Sequence, residues 1–177
     1  MDYRFTLQAS NPHVRTVHDA GDTNLADAIQ TVFPLETESA ILCWNWIHIP
    51  LSYKYDWSMM IDDVLGLVDV MLSEHSGNRV IQWPSNTFAS TWRIGWTAEM
   101  TTVEAEWISV SGDTEAILAE RPRVVLGSPE FISEWKRPLE VILSALLSAG
   151  YDTTLEGMER LRTTVSRIGG RGVLYRE

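Results

Sequence analysis

Apolar residues recur at helical spacing in several parts of the chain. The longest stripe starts at Trp57, directly after Asp56, and continues to about Glu74. Asp56 is a good N-cap residue, so this pattern predicts an amphipathic helix over residues 57–74. A shorter stripe over residues 25–33 predicts another helix that ends before Pro34. We expect the apolar face of the longer helix to be buried on a sheet; it consists of Trp57, Met60, Ile61, Val64, Leu65, Val68, Met71 and Leu72.

Segments with alternating or unbroken apolar character predict β-strands. Residues 3–9 predict a first strand, and residues 40–49, apolar on both sides, predict one central strand that is covered on two faces. Further strands are predicted over residues 79–83, 87–98, 101–110 and 173–175. Near the end of the third of these, Ile108 and Val110 fall on the side of the acidic residues. That change of side predicts a bulge or a partly covered outer face.

The last third of the chain is predicted to be mainly helical. Ser128 and Pro129 supply a cap and a first-turn proline for a long helix, and Pro138 should kink or split it. Thr153 and Glu156 have the spacing of a capping box for a final helix. The helices therefore outnumber the strands in this part of the chain.

Taken together, the elements predict one α+β domain over residues 1–177, with a mainly antiparallel sheet of about four to six strands packed against helices. A chain of this length buries roughly 70% of the surface that its unfolded form exposes, which is enough for a core without disulfides. Cys43 is the only cysteine and lies in an apolar run, so it is predicted to be a small core residue.

Eight tryptophans stand in these 177 residues. Trp44, Trp83, Trp92 and Trp96 have apolar neighbours in predicted strands, so we expect them in the core. The segment around Trp92 and Trp96 also alternates aromatic with hydrogen-bonding side chains, as a sugar-binding face requires. A small-molecule or carbohydrate-binding module that uses the strand tryptophans is therefore an alternative function.

Charge is distributed unevenly along the chain, whose formal net charge is −10. Residues 1–120 carry 17 acidic and 5 basic residues, whereas residues 121–177 carry 7 acidic and 9 basic residues. A negative field repels phosphate backbones and attracts basic proteins. The front of the chain is therefore predicted to meet a basic protein partner and no nucleic acid, although acidity of this kind also serves solubility alone.

Five acidic residues are the candidate partner contacts, because no basic residue close in sequence balances them. Three of them lie mainly off the apolar stripe of the long helix, and the other two share one face of a predicted strand. The strand pair could serve acid–base chemistry, but charged side chains of this kind more often solvate an exposed sheet face. The five candidates are Asp62, Asp63, Asp69, Glu104 and Glu106.

Sequence motifs for catalysis, metal binding or cofactor binding are lacking. The four histidines, His13, His18, His48 and His75, show no ligand spacing with a cysteine or carboxylate, and no Gly-x-Ser-x-Gly motif occurs. The glycine cluster after the final helix has the wrong order for a phosphate loop, which opens a helix after a strand. We therefore expect a protein that is not an enzyme and that needs no cofactor and no metal, while an enzyme with a dispersed site stays open as an alternative.

Small size, acidity, an aromatic-rich antiparallel sheet and flanking helices give the chain a general character that resembles the immunity proteins of bacterial polymorphic-toxin and contact-dependent inhibition systems. The resemblance covers overall composition and transfers no individual residue. It implies a protein that binds a cognate toxin domain tightly and blocks its active site. The N-terminal residues lack the basic-then-apolar layout of a signal peptide, and no apolar run reaches the ~20 residues of a membrane span, so we expect a cytoplasmic location.

Overall fold

The computed structural model describes residues 4–169 and confirms the α+β class. Its strands form two antiparallel sheets, one of three strands and one of four, where the sequence predicted a single sheet. The strands are β1 (Phe5–Gln8), β2 (Ala40–Trp44), β3 (Ile47–Leu51), β4 (Gly77–Ser85), β5 (Phe88–Trp96), β6 (Met100–Val110) and β7 (Arg123–Gly127). The helices are α1 (Leu25–Val32), α2 (Ser58–Ser73), α3 (Glu115–Ala119), α4 (Ser128–Glu134), α5 (Lys136–Ala149) and α6 (Met158–Arg167). The predicted strand over residues 173–175 lies outside the described residues.

The small sheet has the order β1–β2–β3, and it corrects the prediction of one strand over residues 40–49. That segment is a hairpin, in which Trp44 is in register with Ile47 and the two-residue turn is formed by Asn45 and Trp46. Both turn residues have positive φ, at 47° and 75°, as a tight type I′ turn requires. The sequence pattern missed the turn because Asn-Gly, and not Asn-Trp, is the usual signature of that geometry.

The large sheet has the order β4–β5–β6–β7 and separates a buried face from an exposed one. On β5, buried Trp92 and Ile94 alternate with exposed Arg93 and half-buried Gly95. The predicted irregularity of β6 is confirmed, since Ala89 is in register with Ser109 but Ser90 with Trp107, so that Ile108 is an extra residue. This β-bulge leaves the Ile108 side chain exposed.

The long helix begins earlier than the sequence predicted. A π-helical turn, Tyr53–Trp57, precedes α2, and the cap is Ser52, whose Oγ accepts a hydrogen bond from the Tyr55 amide at 3.3 Å. Asp56 is therefore no N-cap; it is buried, and its carboxylate accepts hydrogen bonds from the Ser52 amide at 2.6 Å and from Thr87 Oγ1 at 2.6 Å. The stripe that follows is buried as predicted, apart from half-buried Leu72.

The C-terminal helices break close to the expected places. The segment after Ser128 is divided at Trp135 into α4 and α5, three residues before Pro138.

The capping box predicted at Thr153 is wrong, because α6 begins later, at Met158, with Gly157 in the N-cap position. Gly157 has a φ of 86°, and a Cβ there would lie 2.9 Å from the Leu25 side chain. Glycine thus permits both the backbone turn and the close contact with α1.

Aromatic side chains join the two sheets and the helices in one core. Trp44 of the small sheet packs against Trp92 and Trp107 of the large sheet, with ring centroids 5.3 and 5.1 Å apart. Phe5 and Trp135 extend this cluster toward α4 and α5. The four tryptophans that the sequence placed in the core, Trp44, Trp83, Trp92 and Trp96, are all buried.

Candidate partner-binding surface

Two of the predicted contact residues, Asp62 and Asp63, lie on the outer side of α2. Asp62 is exposed and Asp63 is half-buried, and within residues 4–169 neither carboxylate has a hydrogen bond or an ion pair. Tyr55 and Met59 precede them on the same helical stripe, one turn apart, and are 44% and 48% exposed. We call these four residues the α2 stripe.

Sequence reasoning missed the apolar half of the α2 stripe. Tyr55 lies before the helix start that was predicted at Trp57, so it had no place in the helical pattern. Ser52 was the available signal, because an N-cap there starts the helix one turn earlier and aligns Tyr55 with Met59.

Asp69, the third candidate on the helix, is engaged within the chain. Its Oδ2 lies 2.8 Å from Arg160 Nε, and its Oδ1 accepts a hydrogen bond from Thr164 Oγ1 at 2.8 Å. A second guanidinium, that of Arg167, has its Nη1 3.7 Å from Oδ1. Asp69 therefore links α2 to α6. No basic residue is close to it in sequence, but two arginines of α6 are close to it in the folded chain.

Glu104 and Glu106 lie on the exposed face of the large sheet, as the strand pattern predicted. Glu106 Oε2 is 3.7 Å from Arg93 Nη2, in an exposed ion pair. Glu104 is in register with Arg93 on one side and with Arg123 on the other. These two glutamates thus also have basic neighbours, which come from strands distant in sequence.

The helix candidates and the strand candidates occupy opposite sides of the large sheet. Arg79 of β4 is in register with buried Ile94, and its guanidinium lies over Gly66, so α2 covers the buried face. Glu104 and Glu106 point the other way, because they alternate with buried neighbours along β6. The five acidic residues therefore do not form one continuous surface.

The tryptophans of β5 do not present an aromatic platform, because Trp92 and Trp96 are buried. Trp46 is the tryptophan with a large exposed fraction, 58%, and it stands at the tip of the β2–β3 hairpin with the Arg4 guanidinium 4.5 Å from its ring centroid. Asn45 beside it is buried and donates to the carbonyls of Arg121 and Arg123 at 3.1 and 2.9 Å. The hairpin tip is thus fixed to the start of β7.

Cys43 and His18 are two further reactive side chains, and both have packing contacts within the fold. Cys43 is buried, in agreement with its predicted place in the core. His18 packs on the ring of Tyr151, whose hydroxyl is hydrogen-bonded to Asp22, and burial raises the pKa of Tyr151. Among residues 4–169, no three histidine, cysteine or acidic side chains come together where they could hold a metal ion.

Comparison with protein-family models, with curated proteins and with solved structures gives no match for this chain. Within the described part of the chain, none of the helices has both the length and the apolar character that a bilayer crossing requires.

Proposed function

We propose that the chain is a non-enzymatic protein of the immunity type, which binds a basic toxin domain in the cytoplasm and neutralises it by covering its active site. The observation that supports this function is the α2 stripe, where two carboxylates without a partner among residues 4–169 lie beside an exposed tyrosine and an exposed methionine. The other candidates, Asp69, Glu104 and Glu106, have basic neighbours of their own within the chain.

The chemistry of the α2 stripe fits a protein interface better than a solvated helix face. Interface centres are enriched in tyrosine and methionine, which provide apolar area, whereas the rim carries polar and charged groups. Tyr55 and Met59 would supply the apolar contact, and Asp62 and Asp63 would pair with lysine or arginine side chains of the partner. The carboxylates would also steer a basic domain during encounter.

The test uses the product of the gene next to that of this chain, where that gene encodes a secreted protein with a toxin-like C-terminal domain. The affinity of the purified domain is measured for wild type and for the double variant Asp62→Lys with Asp63→Lys. Loss of both carboxylates should weaken binding by about thirtyfold or more, because breaking a desolvated interfacial charge pair costs roughly 2–5 kcal/mol. Protection of cells that express the toxin domain should fall in parallel.

The matched control is the double variant Glu104→Lys with Glu106→Lys, which makes the same change of charge on the opposite side of the sheet. It should keep most of the affinity, although a general loss of negative charge will slow encounter. The reverse result, with the sheet variant impaired and the α2 variant intact, would move the contact surface to the exposed sheet face. If the toxin domain encoded by the neighbouring gene binds neither the wild-type protein nor any variant, the immunity function itself is refuted.

A further inference from the structure

Gly66 interrupts the outer side of α2 at a point where two arginine side chains meet. A Cβ placed on Gly66 would lie 3.1 Å from Arg79 Nη2, 3.3 Å from Arg79 Nη1 and 3.4 Å from Arg160 Nη2. Both guanidinium groups thus lie within 3.4 Å of one point above the helix. Glycine inside a helix costs about 1 kcal/mol relative to alanine, and here it provides the space that the two side chains fill.

The two guanidinium groups are only partly neutralised. Arg160 Nε lies 2.8 Å from Asp69 Oδ2, and Asp69 also forms an ion pair with Arg167. Arg79 has no ion pair and no hydrogen bond from its side chain to any of the described residues. Arg160 and Arg167 therefore share the Asp69 carboxylate, and the Arg79 guanidinium adds a further positive charge beside Arg160, in a chain whose net charge is −10.

The next acids along α2, Asp62 and Asp63, make no ion pair with these arginines within the described residues. Side chains on an α-helix point toward its N-terminus, so these two cover the turn around Met59, whereas Asp69 covers the turn around Gly66. In agreement, no oxygen of Asp62 or Asp63 lies within 4.0 Å of an arginine nitrogen among the described residues. No residue of the described part of the chain accepts a hydrogen bond from the side-chain N–H groups of Arg79 or from the terminal N–H groups of Arg160.

We propose that the Arg79–Arg160 pair above Gly66 binds a phosphate-type oxyanion, either free phosphate or the phosphate group of a monoester. Guanidinium groups offer planar, charged N–H donors that match the spacing of phosphate oxygens. Arg160 is pre-oriented by its bond to Asp69, and a bound oxyanion would relieve the repulsion between the two guanidinium groups. This proposal does not rest on the function proposed above.

The first experiment titrates the protein with inorganic phosphate against chloride at equal ionic strength, and follows the Arg79 and Arg160 Nε–Hε resonances together with the melting temperature. Arg79→Gln should weaken phosphate binding roughly tenfold or more, because it removes charge-assisted hydrogen bonds. The matched control is Arg162→Gln, which removes an exposed arginine of the same helix as Arg160 and should bind phosphate as wild type does.

The second variant, Gly66→Ala, tests the geometry without changing charge. Its methyl group would displace the guanidinium groups, so phosphate binding should weaken, while the melting temperature in chloride should equal or exceed that of wild type because alanine favours the helix. Equal phosphate affinity in wild type and in Arg79→Gln would overturn the proposal. So would phosphate shifts that spare both arginine resonances.

The source of the oxyanion is distinguished by repeating the titration with glycerol phosphate. Tighter binding of the ester than of inorganic phosphate assigns the site to a phosphate monoester, and equal or weaker binding assigns it to free phosphate. Failure of both ligands to bind overturns the proposal.

Discussion

The hairpin turn at Asn45 and Trp46 shows how single residues set the conformation here. Trp46 has a φ of 75°, a left-handed conformation that costs a bulky residue of the order of 1–3 kcal/mol. Asn45 imposes it, because its side chain is buried and bonds to the Arg4 amide and to two carbonyls of the segment before and within β7. The strain at Trp46 is therefore held by the interactions of its neighbour.

Trp46→Gly should raise the free energy of unfolding by about 1 kcal/mol, because glycine adopts positive φ without a Cβ clash and this gain exceeds the lost contact with Arg4. Trp46→Ala is the matched control: it loses the same contact but keeps the clash, so it should be about 1 kcal/mol less stable than wild type. Chemical denaturation of the three proteins measures both values. A glycine variant less stable than the alanine variant would show that the turn is not strained.

Residue pairing across long sequence distances explains why the candidate contacts were only partly predictable. The sequence correctly indicated that Glu104 and Glu106 share a strand face, because alternation is a local property. It could not show that Arg93, Arg123, Arg160 and Arg167 are neighbours of three of the five acids, because these placements depend on strand register and helix packing.

At the scale of elements, α2 is the part that the sequence described best. Its stripe of apolar residues at helical spacing is long enough to be unambiguous, and the structure buries that face against β4 and the neighbouring helices. The hairpin of the small sheet and the start of α6 were missed, because each depends on a turn residue whose conformation is set by tertiary contacts.

Leu65→Ala tests the packing of α2. Leu65 is fully buried, so its truncation should reduce the free energy of unfolding by about 2–5 kcal/mol through lost apolar burial and a residual cavity. Met59→Ala, on the exposed side of the same helix, serves as the control and should change stability by less than about 0.5 kcal/mol. A Leu65→Ala protein that unfolds at the wild-type denaturant concentration would contradict the packing described here.

At the scale of the whole molecule, the sequence predicted the class and the sign of the charge, but not the division into two sheets. The two sheets share no strand ladder; they are joined by the aromatic core, with Trp44 against Trp92 and Trp107, and by hydrogen bonds from Asn45 to carbonyls at the start of β7. Side-chain contacts of this kind leave no periodic pattern in either segment. The net charge, in contrast, is a sum over the residues, so it can be calculated from the sequence without knowledge of the fold.

The net charge of −10 leads to a kinetic prediction for the proposed basic partner. Oppositely charged surfaces steer each other during encounter, and salt screens this attraction over about 10 Å at 0.1 M ionic strength. The association rate constant, measured by stopped-flow mixing, should therefore fall by about tenfold or more from low to high salt, while the dissociation rate constant changes little. Asp62→Lys with Asp63→Lys should lower the rate at low salt and flatten its salt dependence, because the carboxylates closest to the contact contribute most. A wild-type association rate that is independent of salt would contradict a basic partner, whichever face of the molecule it meets.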